Sequence, residues 1–219
     1  MLQIVDLAAR PHAGGGPVDV LIALLAFGLL PLLAVTMTSF TRIIVVLGLL
    51  RTAIGAPSLP PNIVLTALAM LLTGIVMAPT LESIRAEAIG PYSDHRVSPS
   101  VAVERAAVPL RRFMSRQVRA SDVEAFSKMA GSKNGTIASA PLSAITAAFL
   151  VDELRAAFAM GFALSLPFAV IDIVVAGVLM SLGMYMVSPT AIALPLKLLL
   201  FVIADGWAVV AGALVASYR

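Results

Sequence analysis

The chain has 219 residues, of which 60% are hydrophobic and only 12% charged, with a mean hydropathy of +1.00. So much apolar surface exceeds what a soluble domain of this size buries, and an all-α integral membrane protein is expected. The absence of cysteine excludes disulfides and thiolate metal sites, and a net charge of +3, confined largely to one segment, argues against nucleic acid as a partner.

Residues 1–17 are polar and glycine-containing. They lack the basic n-region, apolar h-region and small-residue cleavage site of a secretory signal, so no cleaved leader is expected here. The apolar block Val18–Leu50 then runs for 33 residues and contains Pro31 and Arg42. About 20 residues cross a ~30 Å hydrocarbon core, so this block is too long for one straight span, and a kink is expected at Pro31. After the break GAPSLPP comes a second apolar block, Asn62–Leu81, of 20 residues. Residues 18–81 therefore read as one kinked helical hairpin.

Two arginines in this hairpin stand out. Arg42 follows the hydroxyl-rich run Thr36-Met37-Thr38-Ser39-Phe40-Thr41 and lies about 20 Å along its helix from the turn. Charged and hydroxylated residues at such depth bring membrane helices together, so Arg42 is expected to make an inter-helix or inter-subunit contact. Arg51, shortly before Gly55, is placed to complement the negative C-terminal end of its helix.

Residues 82–140 form the charged segment, with nine Lys/Arg and six Asp/Glu. Leu110, Phe113, Met114 and Val118 recur at helical spacing, Ser121–Glu124 fits a capping box, and Gly131 suits the position after a helix end. A pair of short amphipathic helices is expected, either resting on the rest of the chain or docking a partner. Asn134-Gly135-Thr136 matches a glycosylation sequon, but Asn-Gly is equally a turn signal.

Residues 141–219 carry the second kinked helical hairpin, with its kink expected at Pro167. Ala156–Val187 is 32 residues long with Pro167 and Asp172, and Ala191–Ser217 follows as one further helix with Pro195, Lys197 and Asp205. The break between them, Gly183–Pro189, contains Met184, Tyr185 and Met186. The layout matches that of residues 18–81, which suggests a parallel pseudo-repeat. Asp172 lies 11 residues before Gly183 and Lys197 lies 8 after Pro189, depths of about 16 and 12 Å that a lysine side chain can bridge. The two are expected to pair within one hairpin or across neighbouring copies, either as a structural ion pair or as a register lock at a pore. Asp205 sits beside Gly206 and Trp207, where an opposite membrane interface is expected, and is counted with Asp172, Lys197 and Arg42 among the buried charges. Met184 and Met186 can pack ordinarily or, being unbranched and polarizable, form a deformable gasket.

Enzymatic chemistry has little support. His12 and His95 lack ligand-spaced companions, and no GxSxG, HExxH, GxGxxG or P-loop motif occurs. An intramembrane aspartyl protease using Asp172 and Asp205 lacks the surrounding motifs of that class. No metal or cofactor is expected. An ion-coupled transporter using Asp172 and Lys197 as a relay, or a scaffold docking partners through residues 82–140, are the readings to set against a conduit subunit.

Several strings resemble the FliP family of the flagellar type III export gate and its injectisome counterpart SctR: MTSFTRIIVVLGLLRTAIG, PPNIVLTALAMLLTGIVMAPT, LRRFMSRQVRASDVEAF, and FAMGFALSLPFAVIDIVVAGVLMSLGMYMVSPTAIALPLKLLLFVIADGW. Thr41–Ile44 and Asp205–Trp207 look flagellar, whereas Val187–Pro189 looks like the injectisome branch; the flagellar branch is preferred. The resemblance implies a non-enzymatic inner-membrane subunit that self-associates into a ring. FliQ-like and FliR-like subunits, and FlhA-like and FlhB-like components, are its implied partners, with unfolded substrates in transit. The family's gate-closing methionine loop falls on Met184, Tyr185 and Met186, with tyrosine standing where relatives often continue the methionine run. The family's acid and lysine fall on Asp172 and Lys197. Flagellar relatives commonly begin with a cleavable signal. The resemblance also puts residues 82–140 on the periplasmic side, although their basic residues alone favour the cytoplasm.

Overall fold

The computed structural model describes residues 31–132 and 136–218, with Leu24 and Gly28. The expectations for residues 1–17, for most of Val18–Leu30 and for the Asn134-Gly135 turn signal fall outside the described residues.

Among the described residues the protein is all-helical. The helices are α1 (Pro31–Met37), α2 (Phe40–Ile54), α3 (Asn62–Ile84), α4 (Pro99–Gln117), α5 (Ala120–Met129), α6 (Leu142–Ser181), α7 (Pro189–Ile203) and α8 (Gly206–Ala216). A π-helical turn, Arg85–Ile89, extends α3 toward Gly90–Ser93. Among the described residues, two helices are long and apolar enough to cross a membrane, Asn62–Ser93 and Leu142–Ser181; up to four spans result if α1 with α2, and α7 with α8, each count as one broken span. At 40 residues α6 is about 60 Å long, roughly twice the hydrocarbon thickness.

Three expected features differ. Pro31 opens α1, and the described chain leaves helical geometry further on, at Thr38 and Ser39. The hydroxyls of Thr36 and Thr38 donate back to the carbonyls of Leu32 and Ala34, an alternative hydrogen-bonding pattern that bends helices. The last apolar block is two helices bent by 63°, not one. The capping box at Ser121 does not form: the N-cap of α5 is Arg119, whose backbone N–H donates to Asp152 Oδ2 at 2.8 Å. Gly131 does close α5 as expected, with φ +77° and bonds from Gly131 and Ser132 N–H to the carbonyls of Lys128 and Ser127.

Two compact units draw on both halves of the chain. One comprises Met77–Asp152 with the described residues up to Ser39; the other comprises Phe40–Val76 and Glu153–Arg219. In the first, Met114 of α4, Val123 of α5 and Ile145, Ala148 and Phe149 of α6 form the core, with Phe113 edge-on to Phe149 at 5.7 Å. The helical stripe in residues 110–118 thus packs on the protein's own α6. Arg111 ties down the preceding loop by donating to the carbonyls of Ile137, Ala138 and Ala140 at 3.2, 2.9 and 2.7 Å.

In the second unit, Ile43, Val46, Leu47, Leu50 and Ile54 line one face of α2 at i, i+3, i+4 spacing and meet Leu65, Ala69 and Leu72 of α3. Ala157 and Phe168 of α6, Phe201 of α7, and Val210 and Leu214 of α8 complete that core. A smaller cluster, Val175 and Leu179 against Ala193, holds the α6–α7 hairpin near its end. Elsewhere the helices present apolar faces outward, as in Ile63, Leu71, Phe162, Ile173 and Val202, which suits lipid or neighbouring subunits better than water.

Candidate functional site

The second unit contains two charge centres and an exposed tip. The tip follows from the end of α6. Gly183 has φ +73°, a left-handed conformation that suits glycine, and the N–H groups of Gly183 and Met184 close the helix on the carbonyls of Met180 and Leu179. The chain then turns through Met184, Tyr185 and Met186 before Ser188 and Pro189 open α7. Every residue from Ser181 to Ile192 is exposed, Met186 completely. Among the described residues Tyr185 and Met186 are left almost bare, and Met184 is about half covered.

Below the tip, Lys197 Nζ lies 2.6 Å from Asp172 Oδ2. The expected pair forms within one hairpin. Lys197 also donates to the carbonyl of Ala53 at 3.2 Å, in the last turn of α2. Carbonyls there lack helical partners and carry the negative end of the helix dipole, so a buried ammonium is well placed. The partners are unequal: the Lys197 side chain is 8% exposed and that of Asp172 43%. Asp172 Oδ1 is nonetheless occluded and has no hydrogen-bond partner among the described residues.

Arg51, expected to serve the end of α2, reaches past it. Its Nη1 donates to Asn62 Oδ1 at 2.6 Å and to the Pro60 carbonyl at 3.3 Å, bracing the α2–α3 loop. Both acceptors are met by the one nitrogen Nη1, while the buried Nε has no hydrogen-bond partner among the described residues.

Arg42 makes its contact inside the chain. Its Nη2 and Nε donate to Glu153 Oε1 and Oε2 at 2.6 and 3.1 Å, with side chains 6% and 0% exposed. Its Nη1 reaches Ser217 Oγ at 3.1 Å, and the Tyr218 ring covers the guanidinium at 4.0 Å. Tyr218 also donates its hydroxyl to Glu153. Burial first, then the Glu153 charge, push the Tyr218 phenol far above its ordinary value.

Asp205, grouped with the buried charges, is exposed in this chain. It is the N-cap residue of α8, with φ 48°. The bend turns on Gly206, where a Cβ would come within 2.1 Å of the Phe201 ring. Phe201 in turn stands edge-on to Trp207 at 5.1 Å. Asp205 thus holds a turn at the surface and does not join Asp172 and Lys197. Among the described residues no group of three or more His, Asp or Glu is arranged to hold a metal ion.

This chain is similar to proteins named flagellar biosynthetic protein FliP. It is 44% identical to that of Pectobacterium carotovorum over 222 residues, covering 99% of this chain and 86% of the relative. It is 48% identical to that of Caulobacter vibrioides over 192 residues, covering 87% and 72%. It is 41% identical to that of Bacillus subtilis over 212 residues, covering 96% of each. The FliP family model matches residues 21–214, and the chain belongs to the FliP family.

Proposed function

We propose that this chain is a core, non-catalytic subunit of the flagellar protein-export gate in the bacterial inner membrane. Family membership supports the flagellar reading, and the relatives above are flagellar by name. In this reading copies of the chain form a ring with FliQ-like and FliR-like subunits, next to FlhA-like and FlhB-like components, and residues 82–140 face the periplasm. Unfolded flagellar proteins leave the cytoplasm through the conduit so formed.

The observation that carries the mechanism is the bare Met184–Tyr185–Met186 tip on a hairpin pinned at its base by Lys197. A ring of such tips closes over the conduit. Methionine side chains reshape around a passing chain and re-seal after it, and Tyr185 stiffens the seal relative to a run of methionines. The buried base keeps the tips at one height while the tips themselves move. The outward apolar faces of α3, α6 and α7 then meet lipid and neighbouring subunits.

Deletion of the gene in its native host, complemented by wild type or by Lys197→Ala, tests this reading. Motility and flagellin in the medium should vanish on deletion and return with wild type only. A deletion strain that still swims and exports flagellin contradicts it.

A further inference from the structure

Burying an ion pair is rarely favourable by itself, because desolvating both charges offsets their attraction unless the remaining donors and acceptors are also satisfied. Arg42 and Glu153 are both buried, yet the fork between them uses only part of the guanidinium. What remains is taken up by two residues that follow α8. Ser217 accepts from Nη1, through Oγ at 3.1 Å and through its carbonyl at 3.4 Å. Tyr218 donates to Glu153 and lays its ring over the guanidinium. A face-on aromatic ring is attractive to a cation and also shuts out solvent.

We propose that Ser217 and Tyr218 are positioning residues that latch the end of α8 onto the Arg42–Glu153 pair, so that one buried charge centre holds α2, α6 and α8 in a single arrangement. Arg42 enters from α2, Glu153 from α6 and Tyr218 from beyond α8. These contacts are long-range in sequence, separated by 65 to 176 positions, so local helix propensity supports none of them.

The test is a coupling measurement on the full chain purified in detergent. Four forms are melted at one scan rate: wild type, Tyr218→Phe, Arg42→Met/Glu153→Leu, and the triple variant. Tyr218→Phe keeps the ring and loses the hydroxyl, and should lower the apparent Tm in the wild-type background. In the apolar background the same change should leave the Tm unmoved. Equal shifts in both backgrounds, or no shift in either, overturn the latch, since general packing by Tyr218 predicts the first and an idle residue the second. If the apolar background does not accumulate, carboxypeptidase digestion of wild type and Tyr218→Phe decides instead. Release of residues from the end of α8 should be about ten-fold faster in the variant, the size expected from one hydrogen bond to a charged group. Equal rates overturn the proposal.

Discussion

Lys197 Nζ is shared between two acceptors, Asp172 Oδ2 at 2.6 Å and the Ala53 carbonyl at 3.2 Å. The two ends of the ion pair therefore differ in what their loss leaves behind. Without Lys197, a partly occluded carboxylate has no donor among the described residues, and the end of α2 loses its cation. Without the Asp172 charge, Lys197 keeps the Ala53 carbonyl. We expect Lys197→Ala to cost about 1–3 kcal/mol, discounted because Asp172 is half exposed, and Asp172→Asn to cost less. Thermal unfolding of the purified chain checks this order; a larger loss for Asp172→Asn contradicts the shared-donor geometry.

The α7–α8 bend makes a second prediction. Phe201 occupies the space where a Cβ at residue 206 would lie. Gly206→Ala must displace the ring from its contacts with Phe168 and Trp207, at 6.4 and 5.1 Å. Overpacking of this kind costs about 1–3 kcal/mol. Adding Phe201→Leu should recover part of the loss. By contrast, Asp205→Gly should be neutral or stabilising by up to about 1 kcal/mol, because glycine adopts the left-handed conformation without strain. A strong loss of stability for Asp205→Gly would give Asp205 a role beyond the turn.

Much of this was readable in the residues. The apolar blocks marked the long helices, although α6 begins at Leu142, 14 positions before its apolar block; the glycine and methionine break located the tip, and helical depth arithmetic put Lys197 within reach of Asp172. The bend at Asp205 carries a turn signal in its Asp-Gly dipeptide, which the surrounding apolar residues mask. Glu153 was missed for a different reason. It sits in the polar run Val-Asp-Glu-Leu-Arg before the apolar block, and its partner Arg42 is 111 positions away. No local pattern encodes such a pairing. The Ser121 capping box failed for a similar reason, because Asp152, 33 positions from Arg119, takes the backbone N–H that begins the helix.

Ser127 offers a test in the first unit. It is fully buried on α5, and its Oγ has no hydrogen-bond partner among the described residues. Its carbonyl is used in closing the helix on Ser132, a role independent of the side chain. A buried hydroxyl without a partner costs about 1–3 kcal/mol, and alanine is the better helix former. We expect Ser127→Ala to be neutral or to stabilise the chain by about 1 kcal/mol, read as a raised apparent Tm. A lowered Tm means that the hydroxyl is satisfied in the folded protein.

The Tyr218 phenol gives the protein an alkaline signature. Burial and the Glu153 carboxylate raise its pKa above the ordinary 10.0, and the Arg42 charge only partly opposes them. The folded chain therefore holds this proton more tightly than the unfolded chain does. Its contribution to stability is complete below pH 10.0 and declines as the pH rises through that value, where the unfolded state alone ionises. Tyr218→Phe removes both the hydrogen bond and the titration. We expect wild type to exceed Tyr218→Phe in apparent Tm at neutral pH, and the gap to narrow steadily above pH 10.0. A gap that stays constant across this range would mean that the phenol ionises equally in the folded and unfolded chains, and that its proton is not held against Glu153.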